Sequence, residues 1–258
     1  MLADRVRMGS GKSEFIDIWG TPGSAKLIAG DGEVGFFGEV PASEFITGVS
    51  LASQIPIYSG TSANSTAGWL KFAYKGEILF VAKKPIRYSI PWTAISNVKC
   101  VYGDSGDKTV TIDDKTYKVT LMRGANDKFD PKQYLNEQTD GYRGEPNHGS
   151  EWNRLMCQIH EQALDKSWNS PSNVETDIGI LEHSLGSGSQ GMYNDNDLLT
   201  HYNHGHGSFS WCQERSMRVE FSRLSRGGEG VSYTSSCGSG SDYTHPSYGW
   251  RPVLRLIG

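Results

Sequence analysis

Apolar and β-branched runs bracket short turns in two places along the chain. Trp69-Leu70-Lys71-Phe72-Ala73-Tyr74 and Ile78-Leu79-Phe80-Val81-Ala82 flank Lys75-Gly76-Glu77. Thr109-Val110-Thr111-Ile112 and Thr116-Tyr117-Lys118-Val119-Thr120-Leu121 flank Asp113-Asp114-Lys115. Both patterns predict β-hairpins. A helical period follows at Ser150, a good N-cap, with Glu151 in the first turn and Trp152, Leu155, Met156 and Ile159 on one stripe. Strand-like pieces recur at 209–212, 218–221, 230–234 and 250–257, separated by glycine-, serine- and asparagine-rich stretches. In the last piece Pro252 suits a strand start, and Val253, Leu254 and Leu256 break alternation, which predicts burial on both faces.

Residues 1–66 look different. Eight glycines by position 38 break up short apolar pieces such as Phe15-Ile16-Asp17-Ile18-Trp19, so short strands are expected, with one helix near Val49–Ile55. The polar run Ser59–Thr66 reads as a flexible connection. The expected organisation is therefore a small β-rich attachment or oligomerisation arm, 1–66, ahead of an α+β domain, 67–258.

Composition narrows the function. Apolar residues make up 36% and glycines number 31, the balance of a loop-rich protein or one that leans on neighbours in an assembly. Twelve tyrosines and seven tryptophans argue against disorder. A net charge of −4 offers no basic footprint for nucleic acid. No apolar run approaches the roughly 18 residues needed to cross a bilayer, so no membrane insertion is expected. The N-terminus lacks the apolar core of a signal peptide, which points to synthesis in the cytoplasm. Cys100, Cys157, Cys212 and Cys237 have no paired spacing and are expected to be buried or half-buried thiols; a Cys212–Cys237 bridge formed outside the cell is the alternative.

The candidate chemistry is mostly negative. Gly9-Ser10-Gly11-Lys12-Ser13 imitates a phosphate-binding loop, but Val6 stands where its first glycine belongs and no strand precedes it. Asp195 and Asp197 open like a calcium loop that lacks its glycine and terminal glutamate. His201, His204 and His206 offer imidazoles without a cysteine at zinc spacing. No nucleophile elbow is present. Tyrosines interleaved with Ser, Gly, Asn and Asp between about 185 and 250 are instead the vocabulary of an adaptable binding surface. The expected ligand-binding residues are Tyr193, Asp195, Asp197, His201, His204, Tyr233, Tyr243 and Tyr248, with Trp211 and Trp250 in the core. No catalytic residue, metal or cofactor is assigned.

Gly149-Ser150-Glu151-Trp152-Asn153-Arg154-Leu155-Met156, Ser210-Trp211-Cys212-Gln213-Glu214, Gly230-Val231-Ser232-Tyr233 and Tyr248-Gly249-Trp250-Arg251-Pro252 resemble the C-terminal module of tailed-phage virion proteins. The likeness extends through Ala67–Phe72 and Val81–Tyr88 to Met1–Gly9, nearly the whole chain. It implies a C-type-lectin-like fold, related to formylglycine-generating-enzyme and variable-tropism-protein domains. The enzyme branch relies on a reactive cysteine pair close in sequence, and here Cys212 and Cys237 stand 25 positions apart. The resemblance therefore implies a non-enzymatic virion protein that contacts other virion proteins, sister copies of itself and host-surface polysaccharide. Decoration or capping of the head or tail is the alternative role, and an envelope-modifying enzyme the second.

Overall fold

The computed structural model describes residues 20–30, 34–125, 133–134, 150–160, 192–199, 205–228, 230–231 and 237–257. Within them the fold is α+β: two mostly antiparallel sheets and four short helices. The first sheet runs β1 (Ala29–Gly30), β2 (Val34–Val40), β4 (Trp69–Tyr74), β5 (Glu77–Ala82), β14 (Val253–Leu256), β8 (Lys115–Thr120) and β7 (Thr109–Ile112), antiparallel throughout. The second runs β12 (Cys237–Gly240), β11 (Ser222–Arg226), β10 (Phe209–Ser216), β13 (Tyr248–Trp250), β6 (Arg87–Tyr88) and β3 (Thr61–Ser62), and β9 (Gln133–Tyr134) joins β10 in parallel. The helices are α1 (Gly48–Gln54), α2 (Trp92–Asn97), α3 (Glu151–Leu155) and α4 (Asp195–Leu198). Among the described residues no helix is long and apolar enough to cross a membrane.

Both predicted hairpins form. Their two-residue turns, Lys75-Gly76 and Asp113-Asp114, hold positive φ at both positions (47° and 87°, 47° and 64°). That conformation matches the twist of the flanking strands, and Gly, Asp and Asn tolerate it best. The runs in β4 and β5 are apolar apart from Lys71 and Glu77 because the first sheet is covered on both faces. Trp69, Ala73, Ile78, Phe80 and Leu254 belong to one core, together with Trp211, Tyr248 and Trp250 of the second sheet. Leu70, Phe72, Leu79, Val81 and Val253 belong to the other, with Trp152, Leu155, Met156 and Ile159. The predicted helical stripe is thus wholly buried, and Ser150 caps its helix by accepting the Asn153 N–H. Lys71 interrupts the apolar run; its ammonium donates to the Ser24 carbonyl at 2.9 Å, and burial pushes its pKa down to about 8.

The boundary expected at Ser59–Thr66 does not separate two cores. β2 pairs with β4 over six positions, and Phe37, Phe45, Leu51 and Ile55 share the core of Trp69 and Phe80. The polar run is itself bound in: Thr61 and Ser62 pair with Tyr88 and Arg87, and the Asn64 amide donates to Pro85 O at 2.8 Å. The helix expected near 49–55 is α1, capped by the Thr47 hydroxyl on Ser50 N–H. A second correction concerns 218–221, which is an exposed turn and not a strand. The Ser216 hydroxyl accepts the N–H groups of Arg218 and Val219 and so bends the chain out of β10. The strand-like piece 230–234 lies largely outside the described residues.

Candidate functional site

Of the predicted ligand-binding residues, the five that are described do not share one open site. His201, His204 and Tyr233 lie outside the described residues. Asn194 and Asp197 form a capping box at α4: Asp197 N–H donates to Asn194 Oδ1 at 3.0 Å and Asn194 N–H to Asp197 Oδ2 at 2.9 Å. Asp195 Oδ1 accepts the Val231 N–H at 2.7 Å and lies 3.1 Å from Nε2 of the buried His160. The Tyr193 ring stands edge-on to Phe36 with the Lys83 ammonium 5.1 Å from its centre. Burial first, then Glu39 and Asp197, push its hydroxyl up to about 12. Tyr193 is thus tied to Phe36 and Lys83, Asp195 to His160 and Val231, and Asp197 to its own helix cap, which corrects, for its described part, the expectation of a solvated recognition loop over 193–206. Tyr248 is also a packing residue, stacked on Phe209 at 4.9 Å and Trp211 at 4.5 Å, with its hydroxyl 2.6 Å from Ser239 Oγ. Tyr243 is exposed, its ring parallel to that of His245. Trp211 and Trp250 are core, as expected, and Cys100, Cys157 and Cys212 are buried free thiols.

A different set of residues lines a cleft of about 350 Å³. Tyr74, Lys75 and Glu77 come from the first hairpin, and Tyr102, Gly103 and Asp104 from the loop after α2. Lys118, Arg123, Glu151, Gln213 and Arg255 complete it. The loop lies tight against β8: a Cβ on Gly103 (φ 75°) would meet Thr120 Cγ2 at 2.8 Å. At the centre, Arg255 donates to Glu77 Oε2 at 2.8 Å, to Glu151 Oε1 at 2.6 Å and to Thr120 Oγ1 at 3.1 Å. Burial works against the Arg255 charge, but Glu151 and Glu77 outweigh it and raise the pKa above the ordinary arginine value. The second Glu151 oxygen accepts the Arg123 N–H at 2.9 Å. Gln213 is fixed by its side-chain amide on Leu121 O at 2.7 Å. Tyr102 packs edge-on to Trp92. The result is a cleft of fixed charges and tyrosines, at the lower end of the size range for small-ligand pockets.

Behind Gln213, the carboxyl of Glu214 is sealed in, accepting N–H groups of Gly124 and Ala125 at 3.1–3.2 Å. Burial raises its pKa to about 7, against the lowering effect of those N–H groups and of Arg123. Since the folded pKa lies above the unfolded value, the folded protein holds an extra proton between about pH 4.5 and 7. Stability from this group is present below that window and is lost as pH rises through it. The expected loss is about 2–3 kcal/mol, and Glu214→Gln should flatten it; urea melts from pH 4.5 to 8 on both proteins check this. Parallel curves for the two would refute the assignment.

None of the cleft residues is among the expected ligand-binding residues. The one available signal was Arg255, a charge inside an apolar strand, which demands buried partners. Comparisons with protein-family models, with curated proteins and with solved structures find no match.

Proposed function

We propose that the protein is a non-enzymatic component of a tailed-phage particle, with a lectin-like fold that holds a host-surface glycan in the cleft around Arg255. The cleft carries this reading: charged groups held in place by internal bonds stand beside Tyr74 and Tyr102. Fixed donors and acceptors bind sugar hydroxyls without an ordering cost, and tyrosine faces suit sugar CH groups. The coarse α+β class, with mostly antiparallel sheets and few helices, is compatible with a lectin-like architecture. The binding reading is favoured over hydrolysis because the Arg255 guanidinium bridges Glu77 and Glu151. A glycosidase needs its two carboxyl groups facing each other across the scissile bond.

The test uses purified protein on cells of a permissive strain and on extracted lipopolysaccharide. The parent protein should be retained. Lys118→Ala should weaken retention by about tenfold or more while leaving the melting curve nearly unchanged, whereas Glu77→Gln should weaken retention and also lower stability, because Glu77 supports the buried Arg255 charge. A parent protein that is not retained ends the adhesion reading and leaves head or tail decoration, which the exposed apolar turn at 217–221 favours.

A further inference from the structure

The turn between β10 and β11 is a fixed apolar knob. Besides the two bonds to Ser216 Oγ, Ser222 N–H donates to Val219 O at 2.9 Å and Ser241 N–H to Phe221 O at 2.7 Å. On this rigid backbone Met217, Val219 and Phe221 are 51%, 58% and 68% exposed. Scattered exposed apolar residues need no explanation, but three large ones within five positions on a held turn do. Arg215, Arg218 and Arg223 flank them against a single acid, Glu220, so 215–223 carries +2 in a chain of −4.

The opposite pattern lies elsewhere in the same chain. Residues 34–70 contain two acidic residues (Glu39, Glu44) and no lysine or arginine. Glu39 is taken by Lys83 at 2.7 Å, while Glu44 is exposed. The segment around α1 also exposes Val49 (57%) and Tyr58 (90%), the latter almost entirely in water.

We propose that the knob of one copy docks on the α1 face of a second copy. Apolar side chains meet apolar side chains, and the arginines meet the exposed Glu44. A knob cannot pair with another knob, because arginine would face arginine. Each copy therefore gives a knob and receives one, as a reciprocal pair or round a ring. The charges set the register and partner choice, and the buried apolar tips supply the affinity.

Sedimentation equilibrium of the full chain tests this over about 1–100 µM, at ionic strengths of about 0.05 and 0.5 M. Association should be concentration-dependent and several-fold weaker at high salt. Phe221→Ser should weaken it at either salt. Arg218→Glu and Glu44→Arg should each weaken it about tenfold or more, and the two together should recover most of the loss. All three positions are exposed, so melting curves should match the parent. A monomer throughout the range overturns the proposal, including one that instead binds anionic lipid vesicles. Association that ignores the single charge reversals, or is not recovered by the pair, overturns it too.

Discussion

A fragment beginning at Ala67 is expected to be unfolded. Removing residues 1–66 takes away β1, β2, β3 and α1, and so uncovers the edge of β4 along six paired positions. Phe37, Val40, Phe45, Ile46, Leu51, Ile55 and Ile57 leave the core with it. Phe45 alone packs against Trp69 (5.5 Å), Phe80 (4.4 Å) and Tyr117 (5.3 Å), and Trp69 Nε1 loses the Ile46 carbonyl at 2.7 Å. Seven buried side chains at about 1.5–3 kcal/mol each amount to about 10–20 kcal/mol. A domain of ordinary stability has only about 5–15 kcal/mol to lose. The fragment should aggregate or show solvent-exposed tryptophan fluorescence and no cooperative melt. A soluble fragment with a sharp transition would restore the boundary at 59–66.

The boundary expected at 59–66 fails for a physical reason. A run such as Ser59–Thr66 has the composition of a solvated linker, and nothing local distinguishes that from an edge strand. Its hydrogen-bond partners, Pro85, Arg87 and Tyr88, lie more than 20 positions away. The same ambiguity governs 193–198. Asn and Asp side chains serve equally well in recognition loops and in capping boxes, and the partners that decide, His160 and Val231, are distant in sequence. Tyr248 reads as a loop aromatic until Phe209 and Trp211 are placed on its faces. By contrast, the two hairpins and the α3 stripe rest on neighbours within a dozen residues, where pattern carries the information. The cleft had no pattern at all, because its lining comes from separate strands, loops and a helix start.

Trp152 is where local pattern and distant packing meet, and Trp152→Ala should cost about 3–5 kcal/mol. Its helix position is set locally, by the Ser150 cap. What surrounds the ring is not local: the guanidinium of Arg226 lies 5.9 Å from it and that of Arg251 5.6 Å. Both arginines are fully buried, and Arg251 is held by Ala82 O at 2.9 Å, Lys83 O at 2.6 Å and the carbonyl of Leu198. Burial lowers its pKa to about 9, and the ring face joins those carbonyls in favouring the charge. The indole N–H donates to Val231 O at 2.9 Å, which also receives the Cys157 thiol at 3.3 Å. Alanine therefore removes buried area, a hydrogen bond and a shared cation–π partner together. Trp152→Phe should keep the ring contacts, lose the indole bond and cost about 1–3 kcal/mol, less than alanine because the thiol still reaches that carbonyl. Urea melts followed by circular dichroism measure both. An alanine variant within about 1 kcal/mol of the parent would mean that this side chain does not hold the arginines and the helix against the sheet.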